Sequence, residues 1–164
     1  MPRLPLGVET SSAGSCYRLG LARPEVVQNQ YSLVVRADDA EVLPLVRSES
    51  LAYTPYSPVA NGVLAGRYSN GERPAPGSRA SVASRADVLL DDPAMMRKIR
   101  AFDRIAVEHG VSSAGLAQAW LVNHSVVTAP IVGPSKEAHW QGIREATELT
   151  WTTQLADSLT ELFG

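Results

Sequence analysis

The side chains able to do acid–base, nucleophilic or metal chemistry are scattered along this chain rather than grouped. His109, His124 and His139 fall on separate expected elements, and Cys16 is the single cysteine, so no tight ligand spacing exists and no metal is expected. Serine is abundant, yet no Gly-x-Ser-x-Gly elbow is present to expose a hydrolase nucleophile. Gly62 to Gly66 lacks the GxGxxG and Walker spacings that cradle phosphates. Glu9 follows a short apolar run at 4–8, which makes it the first acid–base candidate at a strand end. Arg97, Lys98 and Arg100 form a short basic cluster, expected to be the solvated face of a helix.

Composition narrows the field around these residues. The chain has 164 residues, 45% hydrophobic and 20% charged, enough for one domain with a real core. Fifteen Lys+Arg oppose 17 Asp+Glu for a net charge of -2, which removes the broad basic field that nucleic-acid binding needs. No run of about 18 apolar residues is present to cross a membrane, and residues 1–6 lack a signal peptide's apolar region. One unpaired cysteine suits a reducing compartment, so a cytoplasmic protein is expected.

The elements that must position these residues alternate between short apolar runs and amphipathic stretches, the pattern of an α/β fold with parallel strands. Strands are expected at 4–8, 26–28, 51–56 and 126–132, the last irregular because of Pro130. A weak helix is expected at 13–21. A second should begin at Asp38, where Asp38 and Glu41 have capping-box spacing. The stretch 57–93, rich in proline and glycine, reads as one long loop. Helices follow at 94–108, from Ser112 or Ser113, from Ser135, and from Thr152 or Thr153 to Phe163. Trp120, Trp140 and Trp151 are expected to pack helices, with Trp140 equally suited to a subunit contact. Four strand-then-helix units with helices on one side leave the sheet's edges and inner face open. Such edges are normally paired or covered, so the expectation is that a second copy completes the structure or that the chain is a truncated fragment of something larger.

Certain residues carry a likeness to a known family. Val27-Gln28-Asn29-Gln30-Tyr31-Ser32-Leu33, then Tyr56-Ser57-Pro58 with Gly62-Val63-Leu64-Ala65-Gly66-Arg67-Tyr68, resembles the aldo-keto reductases, closest to their potassium-channel-β-subunit-like branch. Leu6-Gly7-Val8, Gly77-Ser78-Arg79, Ala117-Gln118-Ala119-Trp120-Leu121 and Pro130-Ile131-Val132-Gly133 match in the same order. The resemblance implies half of a TIM (β/α)8 barrel, strands five to eight with their helices, over residues 1–164. It implies an NADPH-dependent oxidoreductase acting on a small-molecule carbonyl, an aldehyde or ketone, at the C-terminal ends of the strands. The family's Asp, Tyr, Lys and His tetrad belongs to the other half, so no residue here is assigned to it.

By the same resemblance, this half supplies a cradle for NADP(H). Gln28 matches the glutamine that hydrogen-bonds the nicotinamide carboxamide, and Tyr56 the tyrosine that stacks on the ring. Ser57, Val59 and Gly62 match the loop that wraps the pyrophosphate. Two departures stand out. Glu9-Thr10 replaces the usual Ser-Asn, leaving Thr10 to replace part of the carboxamide ligand. Ser135 occupies the position of the arginine that grips the 2′-phosphate, with Lys136 one residue later, while His139 and Ile143 stand where Gln and Asn are usual. A homodimer or a separate N-terminal half would complete the barrel. The alternative is a stand-alone half-barrel reused as a non-redox binding or regulatory module, or as an enzyme of different chemistry with Glu9 as its acid–base group.

Overall fold

The computed structural model describes Cys16, residues 18–76, Ser81 and residues 84–164. The expected strand at 4–8, Glu9, Thr10, Gly77-Ser78-Arg79 and residues 13–15 and 17 of the expected helix at 13–21 lie outside the described residues. Within them, β1 (Val26–Val27) pairs in parallel with β2 (Ala52–Tyr53), Val26 beside Ala52 and Val27 beside Tyr53. The same register continues to Gln30 beside Tyr56, held by Thr54 N–H to the Val27 carbonyl and Tyr56 N–H to the Asn29 carbonyl, both at 2.9 Å.

A third parallel segment lies on the far side of β2. Thr128 N–H bonds the Tyr53 carbonyl at 2.9 Å and Ile131 N–H the Pro55 carbonyl at 2.7 Å. Between them Pro130 has no N–H to give, which is why the expected strand at 126–132 reduces to a bridge between Tyr56 and Ile131.

Six helices accompany these strands among the described residues: α1 (Val42–Ser48), α2 (Ser84–Asp91), α3 (Pro93–Glu108), α4 (Ser113–Val122), α5 (Ala138–Glu148) and α6 (Thr153–Phe163). Several ends follow local rules. Asp92 accepts from Ala94 N–H at 2.8 Å with Pro93 at the first helical position. Ser112 accepts from Gly115 N–H and Thr152 from Leu155 N–H, so each expected pair of caps resolves to its first member.

Three expectations are corrected. The helix does not begin at Asp38: residues Ala37–Asp39 form a 3-10 turn and α1 begins at Val42, without a side-chain cap from Glu41. Asp38 is instead buried and accepts from Tyr53 Oη at 2.6 Å and Asn29 Nδ2 at 2.9 Å, two partners a capping role could not supply. Ser135 does not cap α5; its N–H donates to His139 Nδ1 at 3.2 Å, and the residue before the helix is Glu137. The stretch 57–93 is not one loop, since it contains the Ala60–Gly62 3-10 turn and α2.

The two faces of the strands differ sharply. Strand side chains alternate, and Tyr31 and Tyr53 are fully buried toward the helices, joined by Leu33, Val46, Leu64, Phe102, Leu116 and Leu121. On the opposite face Val26 is 55% exposed, Tyr56 42% and Ile131 42%, and Gln28 is exposed as well. Two glycines set the packing of the last βα unit. A Cβ on Gly142 would lie 3.2 Å from Gly115 N, and one on Gly115 would lie 2.8 Å from Glu145 Cβ, so α4 and α5 approach backbone to backbone.

Candidate functional site

The open face carries the polar side chains singled out by the resemblance. Gln28 and Tyr56 both point away from the helices, since each lies an odd number of residues from a buried tyrosine on its own strand. The register that puts Gln30 beside Tyr56 puts Gln28 one row earlier, beside Thr54. The side chains of Gln28, Gln30 and Tyr56 have no hydrogen-bond partner among the described residues. Each therefore presents donors and acceptors to whatever covers the face.

At the C-terminal end of β2 the chain turns sharply. Ser57, Ala60, Asn61 and Gly62 all have positive φ, at 62°, 49°, 58° and 98°, conformations that three of these residues adopt only under constraint. The constraint is internal. Asn61 N–H donates to Ser57 Oγ at 3.1 Å, Ala60 N–H to the Ser57 carbonyl and Gly62 N–H to the Val59 carbonyl, both at 2.9 Å. The N–H groups of Ala60 to Gly62 are thus engaged within the loop. That of Val59 has no partner among the described residues, and Pro58 has no N–H. Because the three strand segments are parallel, residues 133–136 leave Ile131 at this same end, bringing Ser135 and Lys136 to the rim. Both are exposed, and Lys136 has no ion-pair partner among the described residues.

Behind the sheet, a polar cluster that runs from the buried Tyr31 out to the exposed Asp39 fixes the strand ends. Tyr31 Oη donates to Asp39 Oδ1 at 2.6 Å, and Arg36 Nε bonds Asp39 Oδ2 at 2.7 Å. The Arg36 guanidinium stacks 5.0 Å from the Trp120 ring and 5.7 Å from that of Tyr31. Burial, then the bond to Asp39, pushes the Tyr31 phenol well above its ordinary value; burial and Asp38 do the same to Tyr53. Both phenols stay protonated at neutral pH and donate to their carboxylates. His124 packs on Tyr31 and Trp120 and is pushed down, first by burial and then by the Arg36 charge. These residues hold the frame and do not reach the open face.

The residues sequence reasoning missed are Gln30, whose strand parity with Gln28 was the available signal, and Asp38, whose capping spacing concealed its role. Glu9 and Thr10 fall outside the described residues. Among those described, no three His, Cys, Asp or Glu side chains converge on a possible metal position, and no helix is long and apolar enough to cross a membrane.

Among the described residues, parallel strand segments carry helices on one face while Gln28, Tyr56 and Ile131 are exposed on the other, an α/β arrangement with an open strand face. Comparison with known proteins agrees and is more specific. The aldo/keto reductase family model matches residues 6–163, so the chain belongs to the aldo/keto reductase family. It is similar to a probable voltage-gated potassium channel subunit beta of Arabidopsis thaliana, 34% identical over 146 residues, covering 85% of this chain and 43% of that protein. A protein of the same description from Oryza sativa subsp. japonica is 40% identical over 126 residues, covering 73% and 37%. An uncharacterised oxidoreductase of Bacillus subtilis, YrpG, is 31% identical over 136 residues, covering 83% and 39%. The chain spans about two fifths of the length of these curated relatives.

Proposed function

We propose that this chain is the cofactor-holding half, strands five to eight, of an aldo/keto reductase-like oxidoreductase that works on aldehydes or ketones with NADP(H) in a reducing, cytoplasmic setting. The observation that carries the reading is the open face itself. Gln28 and Tyr56 share it without protein partners, at the end of the strands from which residues 57–62 and 133–136 emerge.

The residues present fit a nicotinamide nucleotide. Tyr56 offers a flat exposed ring for stacking, and Gln28 an amide that both donates and accepts. Ser57 and the free Val59 N–H fit a pyrophosphate at the turn, where Gly62 has no side chain and open space around it. Lys136, with Ser135 beside it, fits a 2′-phosphate from the rim. When bound, the nucleotide supplies hydride; the residues of this chain bind it, orient its ring and shield one side of it. The proton donor comes from outside the residues assigned here, by resemblance from the tetrad of the other half. That half, or a second copy of this chain, covers the open face and excludes water from it.

A second reading is favoured by one observation. The N–H groups of Ala60 to Gly62 are already engaged within the loop, as in a half-barrel that no longer holds a nucleotide and serves as a binding module or as an enzyme of other chemistry. Titration of the purified chain with NADPH, read by nicotinamide fluorescence, separates the two. Micromolar binding that falls on Gln28→Ala and Tyr56→Ala supports the first, and absence of binding at millimolar NADPH supports the second.

A further inference from the structure

We propose that Gln30 is a second carboxamide-reading residue of this face, acting with Gln28 to hold the amide of a nicotinamide ring stacked on Tyr56. The proposal rests on the nucleotide-binding reading above and adds a residue and a selectivity to it.

Gln30 is the cross-strand partner of Tyr56, so its side chain stands on the same face, about 4.8 Å to one side in the pairing direction. Gln28 stands two residues earlier on the same strand, about 6.6 Å along it. A ring stacked on Tyr56 therefore has one glutamine at its lateral edge and the other below it. Gln30 is only partly exposed, and its amide has no partner among the described residues. That amide is therefore free to pair with a ligand amide brought to the face.

The hydrogen-bond inventory leaves room for more than one residue. A primary carboxamide carries two N–H donors and one carbonyl. One glutamine pairs with the carbonyl and with one N–H, leaving the other N–H for a second acceptor, and Gln30 is the described residue on this face beside Tyr56 that offers one. The Gln30 carbonyl accepts that remaining N–H. A site built to pair an N–H rejects a ligand that lacks it, because the site's own acceptor is then left unpaired. Gln30 thus makes the face selective for the carboxamide over a ketone of the same shape.

The test compares NADPH with its reduced 3-acetylpyridine analogue, in which a methyl group replaces the amide nitrogen, by calorimetric titration of the full chain. Gln30→Leu should weaken NADPH by about three- to tenfold, the worth of one hydrogen bond, and leave the analogue within about twofold. Gln30→Glu, which keeps an acceptor, should stay nearer to the parent for NADPH than Gln30→Leu does. Equal losses for both ligands in Gln30→Leu, or no loss for NADPH, overturn the role of Gln30 while leaving the nucleotide site standing. If the parent chain binds neither ligand, the nucleotide reading fails and this assignment with it.

Discussion

Replacing Gly115 by alanine probes the contact that seats α5, the helix following the rim residues Ser135 and Lys136. In an isolated helix this change stabilises by about 1 kcal/mol, because glycine is the poorer helix former. Here the new methyl would lie 2.8 Å from Glu145 Cβ and would also overlap the Glu145 carboxylate. Overpacking of this kind costs about 1–3 kcal/mol. The carboxylate cannot simply swing away. Its Oε2 accepts from Ser112 N–H at 2.9 Å and from the Ser112 hydroxyl, and its Oε1 from Gln141 Nε2 at 2.8 Å. Losing one such charge-assisted bond costs about 1.5–3 kcal/mol. The sum, less the helix-propensity gain, is a net loss of about 1.5–5 kcal/mol, read as a lowered urea midpoint at unchanged m-value. In a Glu145→Ala background the carboxylate share of the penalty disappears, leaving the Cβ share and a coupling energy of at least about 0.5 kcal/mol. A Gly115→Ala variant as stable as the parent, or one whose loss is the same with and without the Glu145 carboxylate, would refute the packing argument.

Further outcomes follow from the buried groups. His124 titrates below its ordinary value, so the unfolded chain takes up the proton first; stability should be full above about pH 6.5 and fall as pH drops below it. His124→Gln should flatten that part of a pH series of urea midpoints. At Glu145, burial raises the carboxyl, but the bonds from Ser112 and Gln141 and the nearby Arg144 outweigh it and hold the group below 4.5. Its contribution should be present above pH 4.5 and vanish as pH falls through the depressed folded value, an acid limb that Glu145→Gln should remove. Asp38→Ala leaves Tyr53 Oη and Asn29 Nδ2 unpaired inside the protein, and should cost about 2–4 kcal/mol by thermal unfolding.

Much of this was legible in the sequence, for identifiable reasons. Helices with a strong apolar stripe and a capping residue, such as α3 behind Asp92 or α6 behind Thr152, declare both ends locally. The three expected strands within the described residues declared their positions but not their lengths, because pairing here depends on neighbours far along the chain and on Pro130 interrupting one of them. Asp38 looked like a helix cap because capping spacing is a local pattern, while its actual partners Tyr53 and Asn29 come from two strands. Ser135 misled in the same way, since its N–H is taken by His139 in place of its hydroxyl serving the helix. α2 was hidden inside a stretch read as loop from its proline and glycine content. For the site, Gln28 and Tyr56 were named by resemblance, and the register shows them on one face. The self-engagement of the Ala60–Gly62 turn is a matter of backbone geometry that residue types alone do not announce.

The central claim is that the open face holds a nicotinamide nucleotide, and direct titration of the purified chain with NADPH, followed by nicotinamide fluorescence, tests it most simply. The account predicts saturable micromolar binding, weakened about tenfold or more by Gln28→Ala and by Tyr56→Ala in variants that keep the parent's circular dichroism. No binding at millimolar NADPH by a folded chain, or binding indifferent to both substitutions, would contradict it.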